Sequence, residues 1–225
     1  SFPTRRSSDL HQWVDGSAID LPVGKAVCVG RNYAAHAKEL GNAVPQTPIL
    51  FLKPSTTIVP LSPSFTIPND RGSCHYETEI AVLIGKTISS IDADDVAEAV
   101  AGYGLALDLT LRDVQNQLKS QGYPWEVAKA FDGACPLSPF IKPEFVSDIK
   151  HTEFSLMVNG EPRQHGFSHD MITPVYELIA YISQIFTLQA GDIVLTGTPE
   201  GVAALQRGDK LVLSMLGQMF ETEVV

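Results

Sequence analysis

The sequence predicts an α+β fold that is mainly β and is built on a mixed or antiparallel sheet. Three observations favour it: strand patterns outnumber helical ones, the two do not alternate regularly, and no phosphate-binding glycine fingerprint follows a strand. The fifteen prolines are spread along the chain, which indicates that loops make most of the connections. A regular alternation of strands and helices would instead have predicted a doubly wound parallel sheet.

Short runs of β-branched and aliphatic residues, bounded by turn residues, predict eight strands. In chain order these are 26–30, 50–53, 78–84, 102–107, 154–158, 192–195, 210–214 and 221–225. Asn159-Gly160 directly follows the fifth strand and predicts a tight hairpin turn. Helices are predicted over 92–101, 110–119 and 174–185. In the last of these, Thr173 is the expected N-cap and Pro174 the first helical residue.

Length and composition predict a single domain over residues 11–225. The chain has 225 residues, of which 44% are hydrophobic, and this is enough for one well-buried core. Residues 1–10 are set aside, because SFPTRRSSDL resembles an in-frame translation of a sequencing-adapter oligonucleotide. We therefore expect the native N-terminus to be missing or replaced.

Charge and hydropathy argue against two classes of partner. The net charge of −10, with no cluster of Lys or Arg, argues against nucleic acid. No apolar run reaches the roughly 18 residues that a membrane span requires, and no secretory signal pattern opens the chain. The three cysteines, Cys28, Cys74 and Cys135, lack metal-ligand spacing. They predict reduced, buried thiols and a cytoplasmic protein.

The segment Cys74-His75-Tyr76-Glu77-Thr78-Glu79, together with Asp108 at the end of a later apolar run, carries the strongest functional signal. Alternate residues of a strand point to one face, so Glu77 and Glu79 are expected to project together, with His75 as a supporting residue or a further ligand. Neighbouring carboxylates repel unless a proton or cation lies between them, and hard oxygen ligands suit Mg²⁺ or Mn²⁺. We predict a three-carboxylate metal site. The alternative is that both glutamates line the solvated face of an edge strand.

A second group of polar residues lies upstream, in GRNYAAHAKEL, where a predicted strand ends in glycine and a short helical segment follows. His36 and Glu39 are three residues apart, which places them on one face of a helix. The carboxylate can then orient the imidazole while the imidazole removes a proton from water. The alternative is an ordinary solvated surface pair. The nearby Arg31 and the carboxylate triad favour the catalytic interpretation.

Seven segments in a fixed order resemble the fumarylacetoacetate hydrolase superfamily, in particular its small acylpyruvate hydrolase and oxaloacetate-handling members. They are CVGRNYAAHAKE, PILFLKPST, HYETEIAVLIG, YGLALDLTLRDVQ, PWEVAKAFDGACPLSPF, VNGEPRQ and GDIVLTGTPEGV. The resemblance covers about residues 25–225. It implies a mixed β-sheet roll of the type found in the C-terminal domain of that family, usually assembled as a homodimer.

The resemblance also implies roles for individual residues. The implied ligands of Mg²⁺ or Mn²⁺ are Glu77, Glu79 and Asp108. The implied catalytic residues are His36, Glu39 and Lys129. The residues implied to surround the substrate are Arg31, Tyr33, Arg112, Gln115, Lys129 and Thr198. Simpler alternatives are an exposed lysine at a helix end for Lys129, a surface pair for Arg112 and Gln115, and a strand-ending turn for Thr198.

The resemblance implies chemistry on a small 2-oxo or 2,4-dioxo acid, which would chelate the metal through its carboxylate and keto oxygens, so that the metal stabilises an enolate. The favoured activity is hydrolysis of acylpyruvates such as acetylpyruvate or fumarylpyruvate, with His36 activating water and pyruvate enolate as leaving group. The alternatives are oxaloacetate decarboxylation and oxaloacetate keto–enol tautomerisation. A non-catalytic binding protein is disfavoured, because both the triad and the dyad are intact.

Overall fold

The protein consists mostly of strands, with few helices. Its structure, a computed structural model, describes residues 11–41 and 43–225. The strands are β1 (Ala26–Gly30), β2 (Ile49–Lys53), β3 (Ile58–Pro60), β4 (Ser64–Phe65), β5 (Cys74–Tyr76), β6 (Thr78–Ile84), β7 (Val100–Leu107), β8 (Thr110–Leu111), β9 (Cys135–Leu137), β10 (Glu153–Val158), β11 (Glu161–Phe167), β12 (Ile193–Leu195), β13 (Ala203–Ala204), β14 (Lys210–Met215) and β15 (Gln218–Val224). The α-helices are α1 (Ala34–Glu39), α2 (Arg112–Gln121), α3 (Glu126–Lys129) and α4 (Val175–Ile185). Short 3₁₀ helices cover Ser55–Thr57, Ala93–Ala99, Pro143–Phe145, Ile149–His151 and Ser168–Asp170. The set-aside residues 1–10 lie outside the described residues.

The strands form three sheets, and the largest of them is mixed. Its strand order is β2-β1-β12-β6-β7-β9-β3, whereas the smaller sheets run β11-β10-β14-β15-β4 and β13-β5-β8. In the largest sheet β1 is parallel to β12 and β3 is parallel to β9, while β6 and β7 are antiparallel. The mixed sheet curls into a half-barrel. The predicted mainly-β α+β fold is confirmed.

Both faces of the largest sheet are buried. In β1, Val27 belongs to one hydrophobic cluster and Cys28 to the other, and in β6 the same alternation separates Val82 from Leu83. Helix α4 packs its buried face into the first cluster. A strand that is buried on both faces has apolar residues at successive positions rather than at alternate ones, which explains the continuous apolar run Ile80–Ile84 in β6.

One edge of the largest sheet collects the polar segments. Because β1 and β12 are parallel, their carboxyl ends lie at this edge, where Arg31 follows β1 and Thr196 follows β12. Strand β6 is antiparallel to both β12 and β7, so the beginning of β6 lies at the same edge as the end of β7. Glu77 connects β5 of the small sheet to β6 of the largest sheet, and Asp108 lies between β7 of the largest sheet and β8 of the small one. The Asp108 amide donates a hydrogen bond to the Glu77 carbonyl at 2.8 Å.

Strand pairing changes the bounds of two of the three predicted helices. Residues 93–99 form only a 3₁₀ helix, and Val100 already pairs with Ile84 in the sheet, so the predicted helix 92–101 is wrong at its end. Residues 110 and 111 form β8 rather than the start of a helix, because they pair with β5. Helix α2 begins after them. In both places, pairing between strands overrides the local helical pattern.

The predicted hairpin turn is confirmed, since Asn159 and Gly160 both have positive φ, at 54° and 81°, between β10 and β11. Helix α4 begins one residue later than predicted, with Pro174 rather than Thr173 at the N-cap. Helix α3 lies in a segment where no helix was predicted.

The predicted buried thiols are also confirmed, because Cys28, Cys74 and Cys135 are all free and buried. In the part of the chain that the structure describes, no helix has the length and apolar character of a membrane span.

His11 is expected to make the stability of the protein depend on pH. Its side chain is 1% exposed and packs edge-on against Phe140, with ring centroids 5.6 Å apart. Burial lowers the pKa of His11 from 6.5 to about 4. The unfolded chain therefore binds a proton at higher pH than the folded protein does. The contribution of neutral, buried His11 to the free energy of unfolding is complete above the pKa that His11 has in the unfolded chain. It is lost as the pH falls through the pKa of His11 in the folded protein.

We expect His11→Phe to remove this pH dependence, which amounts to roughly 3 kcal/mol in the free energy of unfolding between pH 6.5 and pH 4. Urea unfolding across this pH range measures it. His165→Gln, at an exposed histidine, is the control. An unchanged pH slope in His11→Phe would show that His11 is not the titrating group.

Candidate active site

Three buried carboxylates form the centre of the site. Glu77, Glu79 and Asp108 are 5%, 1% and 1% exposed, and each presents an oxygen within 4.8 Å of the others. Glu77 precedes β6, Glu79 lies within β6, and Asp108 follows β7 at the same sheet edge. Their burial excludes the alternative in which the glutamates line a solvated face.

Two of the three carboxylates are paired with buried cations. Lys129 Nζ lies 2.8 Å from Glu77 Oε2 and 2.7 Å from Asp108 Oδ2, Arg112 bonds Glu77 Oε1, and Lys53 Nζ lies 2.8 Å from Asp108 Oδ1. Burial opposes ionisation of Glu77, but the Lys129 ammonium and the Arg112 guanidinium hold its pKa well below the usual range. Although burial acts against the Lys129 charge, Asp108 and Glu77 raise the pKa of this lysine. Glu77 and Lys129 therefore stay charged.

Glu79 has no cationic partner within residues 11–41 and 43–225. Its Oε2 accepts a hydrogen bond from the Gly197 amide at 2.7 Å. Gly197 has φ +93°, and a Cβ there would lie 2.7 Å from Asn32 Cβ, so this close approach needs glycine. Burial, followed by the charges of Asp108 and Glu77, raises the pKa of Glu79 well above its ordinary value.

The residues fit a hard divalent cation. A positive charge among the three carboxylates would offset the repulsion that raises the Glu79 pKa. The donor set contains only oxygen, which Mg²⁺ and Mn²⁺ prefer, whereas Zn²⁺ sites usually include nitrogen or sulfur. His75 does not join this cluster and instead lines a neighbouring cleft with Glu39.

Helix α1 brings His36 and Glu39 into contact. His36 Nδ1 lies 3.1 Å from Glu39 Oε2, and Glu39 Oε1 accepts a hydrogen bond from the Gly201 amide at 3.0 Å. The His36 side chain is 6% exposed and that of Glu39 33%, so the imidazole is buried while the carboxylate is partly open to solvent. A carboxylate that holds one ring nitrogen leaves the other nitrogen available for proton transfer.

One pocket contains most of the predicted site residues. It is lined by the three carboxylates, by His36, and by Arg31, Arg112, Gln115, Lys129 and Thr198. Tyr33 is not among the lining residues. The Tyr33 backbone is extended and forms an isolated β-bridge with Met171. The Tyr33 ring packs edge-on against Phe154 at a centroid distance of 6.5 Å and so lies in the hydrophobic core.

The simpler alternatives for Lys129, Arg112 and Gln115 do not hold. Lys129 is 2% exposed, so it is not a surface lysine at a helix end. Arg112 and Gln115 are both buried, and the Arg112 Nη1 group donates to Gln115 Oε1 at 2.7 Å. Thr198 does lie in the loop that follows β12, but it is 3% exposed and lines the pocket, and its Oγ1 accepts a hydrogen bond from Gln164 at 2.8 Å.

Two buried polar residues that support the site were missed in the sequence. Lys53 is fully buried, and besides contacting Asp108 it donates to the carbonyls of Ala134 and Lys129. Gln164 accepts from the Thr78 amide at 3.0 Å while it donates to Thr198, and so ties β11 to the beginning of β6. The available signals were a lysine at the end of the apolar strand ILFLK and a glutamine in the VNGEPRQ hairpin.

Lys53→Met is expected to destabilise the protein by about 3 to 5 kcal/mol, because it removes one partner of a buried ion pair and leaves backbone carbonyls without a donor. Urea unfolding of the metal-free protein measures the loss. The control is Lys86→Met, whose exposed pair with Glu98 should contribute less than about 1 kcal/mol. Equal losses in the two variants would contradict a structural role for the Lys53 ammonium.

Comparison with known proteins gives consistent matches over most of the chain. The family model described as fumarylacetoacetate (FAA) hydrolase C-terminal matches residues 25–225. The chain is 54% identical over 216 residues to the oxaloacetate tautomerase YcgM of Escherichia coli (strain K12), covering 96% of this chain and 98% of that protein. It is 42% identical over 194 residues to a mitochondrial oxaloacetate decarboxylase of Dictyostelium discoideum, covering 86% and 89%.

A solved structure resembles the whole fold. It is the fumarylpyruvate hydrolase from Pseudomonas aeruginosa in complex with Mn²⁺ and pyruvate, with a TM-score of 0.91, 36% identity, and coverage of 100% of this chain and 99% of that one.

Proposed function

Because the chain belongs to the fumarylacetoacetate hydrolase family, we propose that it is a divalent-metal-dependent enzyme that interconverts the keto and enol forms of oxaloacetate. The observation that carries the proposal is the buried cluster of Glu77, Glu79 and Asp108 beside His36 in one pocket. The relative named oxaloacetate tautomerase, at 54% identity, supports this choice of substrate over an acylpyruvate.

The charges around the pocket support a substrate with two carboxylates. Two of the three acidic residues, Glu77 and Asp108, are in contact with three cations, Lys53, Arg112 and Lys129. When Glu79 is ionised as well, the formal charges of these six groups cancel. A divalent ion adds positive charge to this balanced group, and Arg31 on the pocket wall adds more. A dianion such as oxaloacetate compensates this excess better than a monoanion such as acetylpyruvate.

Glu77, Glu79 and Asp108 would hold Mg²⁺ or Mn²⁺. When bound, the ion would supply Lewis-acid stabilisation of the negative charge that develops on the substrate's keto oxygen. To form the enol, His36, oriented by Glu39, would take a proton from the carbon next to the keto group and deliver it to the keto oxygen. The reverse transfer, from the enol oxygen back to the carbon, would give the keto form. The Lys129 ammonium would add a second positive charge near the developing oxyanion. Burial of these groups keeps bulk water away from the reacting atoms.

Hydrolysis of acylpyruvates, the activity favoured by the sequence, is a second candidate. The His36–Glu39 pair is suited to activating water, and a fumarylpyruvate hydrolase shares the fold at 36% identity. Fumarylpyruvate also carries two carboxylates, so the charge argument does not disfavour it. The proteins named for oxaloacetate chemistry have the higher identities, and we therefore place oxaloacetate first.

The test uses the full chain, stripped with a chelator and resupplied with Mg²⁺ or Mn²⁺. Loss of the oxaloacetate enol is followed by absorbance, and the products from oxaloacetate and acetylpyruvate are identified by NMR. Metal-dependent enol–keto conversion without loss of carbon dioxide is the expected result. Pyruvate from oxaloacetate would move the assignment to a decarboxylase, and acetate plus pyruvate from acetylpyruvate to a hydrolase. No metal-dependent turnover of either compound would overturn the proposal.

A further inference from the structure

Helix α2 presents a row of polar side chains to the pocket. Arg112, Gln115 and Lys119 are separated by three and four residues, which places them on one helix face, and all three line the pocket. Lys119, Arg112 and Leu40 also line the neighbouring cleft. Lys119 therefore lies where the pocket and the cleft meet, farther along the helix from the metal-site carboxylates than Arg112.

Two cations of the pocket form no ion pair within the part of the chain that the structure describes. Arg112 is bound to Glu77, but neither Arg31 nor Lys119 forms an ion pair with a carboxylate of the described residues. The Lys119 ammonium instead lies 5.1 Å from the centroid of the Trp125 ring. Arg31 and Lys119 are both half-buried. Two cations that line one pocket without a carboxylate partner among the described residues point to an anion supplied by a ligand.

Arg31 has two further unusual features. Its Nε is buried without a hydrogen-bond partner among the described residues. Its backbone has φ 62°, in the left-handed region that residues other than glycine rarely adopt. Such strain is concentrated at ligand-binding positions, where the surrounding structure maintains it.

The surroundings of Lys119 are electropositive. Burial, followed by the charges of Arg112, Arg31 and Lys129, lowers the pKa of Lys119 to about 8. The same positive field that disfavours the ammonium favours a bound carboxylate.

We propose that Lys119 and Arg31 form a second anion subsite, which binds the distal carboxylate of a dicarboxylic substrate, and that Lys119 sets the preference for dicarboxylic over monocarboxylic 2-oxo acids. This inference rests on the proposed function, because it assumes that the 2-oxo acid end of the substrate lies at the carboxylate cluster. A hydrogen bond between two charged groups at such a site is equivalent to about a 10- to 100-fold change in affinity.

The test compares oxaloacetate with its 4-methyl ester, which keeps the 2-oxo acid end but lacks the distal charge. Binding is measured by calorimetry in the presence of Mg²⁺, and turnover is measured separately by enol–keto conversion. We expect Lys119→Gln to weaken oxaloacetate binding and raise its KM by about 10- to 100-fold, with kcat changed less than about threefold. Affinity for the ester should change less than about threefold. Lys119→Arg, which keeps the charge, should restore most of the preference.

Lys142→Gln is the matched control, because the Lys142 ammonium also lies over a tryptophan ring, 5.5 Å from the centroid of Trp13, but outside the pocket. It should leave both ligands unaffected. If Lys119→Gln weakens binding of the diacid and of the ester equally, the proposed subsite is overturned, and the role of Lys119 is structural. A wild-type protein that does not distinguish the two ligands would also overturn it.

The two proposals fail in different ways. Charge-selective binding that depends on Lys119, without metal-dependent turnover, would contradict the tautomerase and leave the subsite standing. Metal-dependent turnover of both compounds, without a preference for the diacid over the ester, would contradict the subsite and leave the tautomerase standing. Absence of binding by either ligand would overturn both.

Discussion

Glu79→Gln is expected to lower metal-dependent kcat/KM by about a thousandfold or more, which corresponds to the several kcal/mol that a Lewis-acid metal contributes. Glu79 is the carboxylate of the cluster that lacks a cationic partner among the described residues, so its charge is the one most directly available to a metal. The amide oxygen of glutamine can still accept the hydrogen bond from Gly197. Titration with Mn²⁺, followed by calorimetry or by EPR, should show a parallel loss of affinity.

Unfolding of the metal-free protein provides a check on this variant. Because burial and its neighbours raise the Glu79 pKa, the neutral amide removes an unfavourable charge. Metal-free Glu79→Gln should thus be at least as stable to urea as metal-free wild type. Glu98→Gln, at a side chain that is 77% exposed, is the control for charge loss alone. Wild-type Mn²⁺ affinity in Glu79→Gln would contradict the assignment of Glu79 as a ligand.

His36→Gln is expected to lower kcat by about a hundredfold to ten-thousandfold, the usual contribution of a positioned general base. Affinity for Mn²⁺ should stay within about threefold of wild type, because His36 is not part of the carboxylate cluster. Steady-state kinetics on oxaloacetate, combined with Mn²⁺ titration, separates the two effects. His169→Gln, at an exposed histidine, should leave both unchanged. A wild-type kcat in His36→Gln would mean that another group moves the proton.

The carboxylate cluster was predictable because its geometry is local. Glu77 and Glu79 are two residues apart where β6 begins, and Asp108 directly follows the neighbouring β7, so alternation and pairing bring them together. The contact between His36 and Glu39 follows from helical spacing in the same way.

The cations that surround the cluster were only partly predictable. Lys53 and Lys129 reach Asp108 from different elements, β2 and α3, and their approach depends on how the sheet curls. Tyr33, which the resemblance implies to be near the substrate, has its ring in the core, whereas Arg31 and His36 line the pocket. The ends of the predicted helix 92–101 could not be found locally, since pairing with β6 decides where β7 begins.

The homodimer, the cytoplasmic location and the extent of the catalytic domain over 11–225 stay predictions. The choice among tautomerase, decarboxylase and hydrolase also could not be made from the residues. All three activities need a 2-oxo acid at the same carboxylates, and they differ in how the remainder of the substrate is held. The charges of Arg31 and Lys119, which face that part of the substrate in our proposal, therefore bear on the choice among the three activities.

The most direct measurement is the rate at which the hydrogens on C3 of oxaloacetate exchange with deuterium in D₂O. NMR would follow exchange with wild type plus Mg²⁺, wild type plus chelator, and Glu79→Gln plus Mg²⁺. The structure predicts rapid exchange in the first sample and only the background rate in the other two. Equal exchange in all three would contradict the claim that this carboxylate cluster acts, through a bound metal, on the enolisation of oxaloacetate.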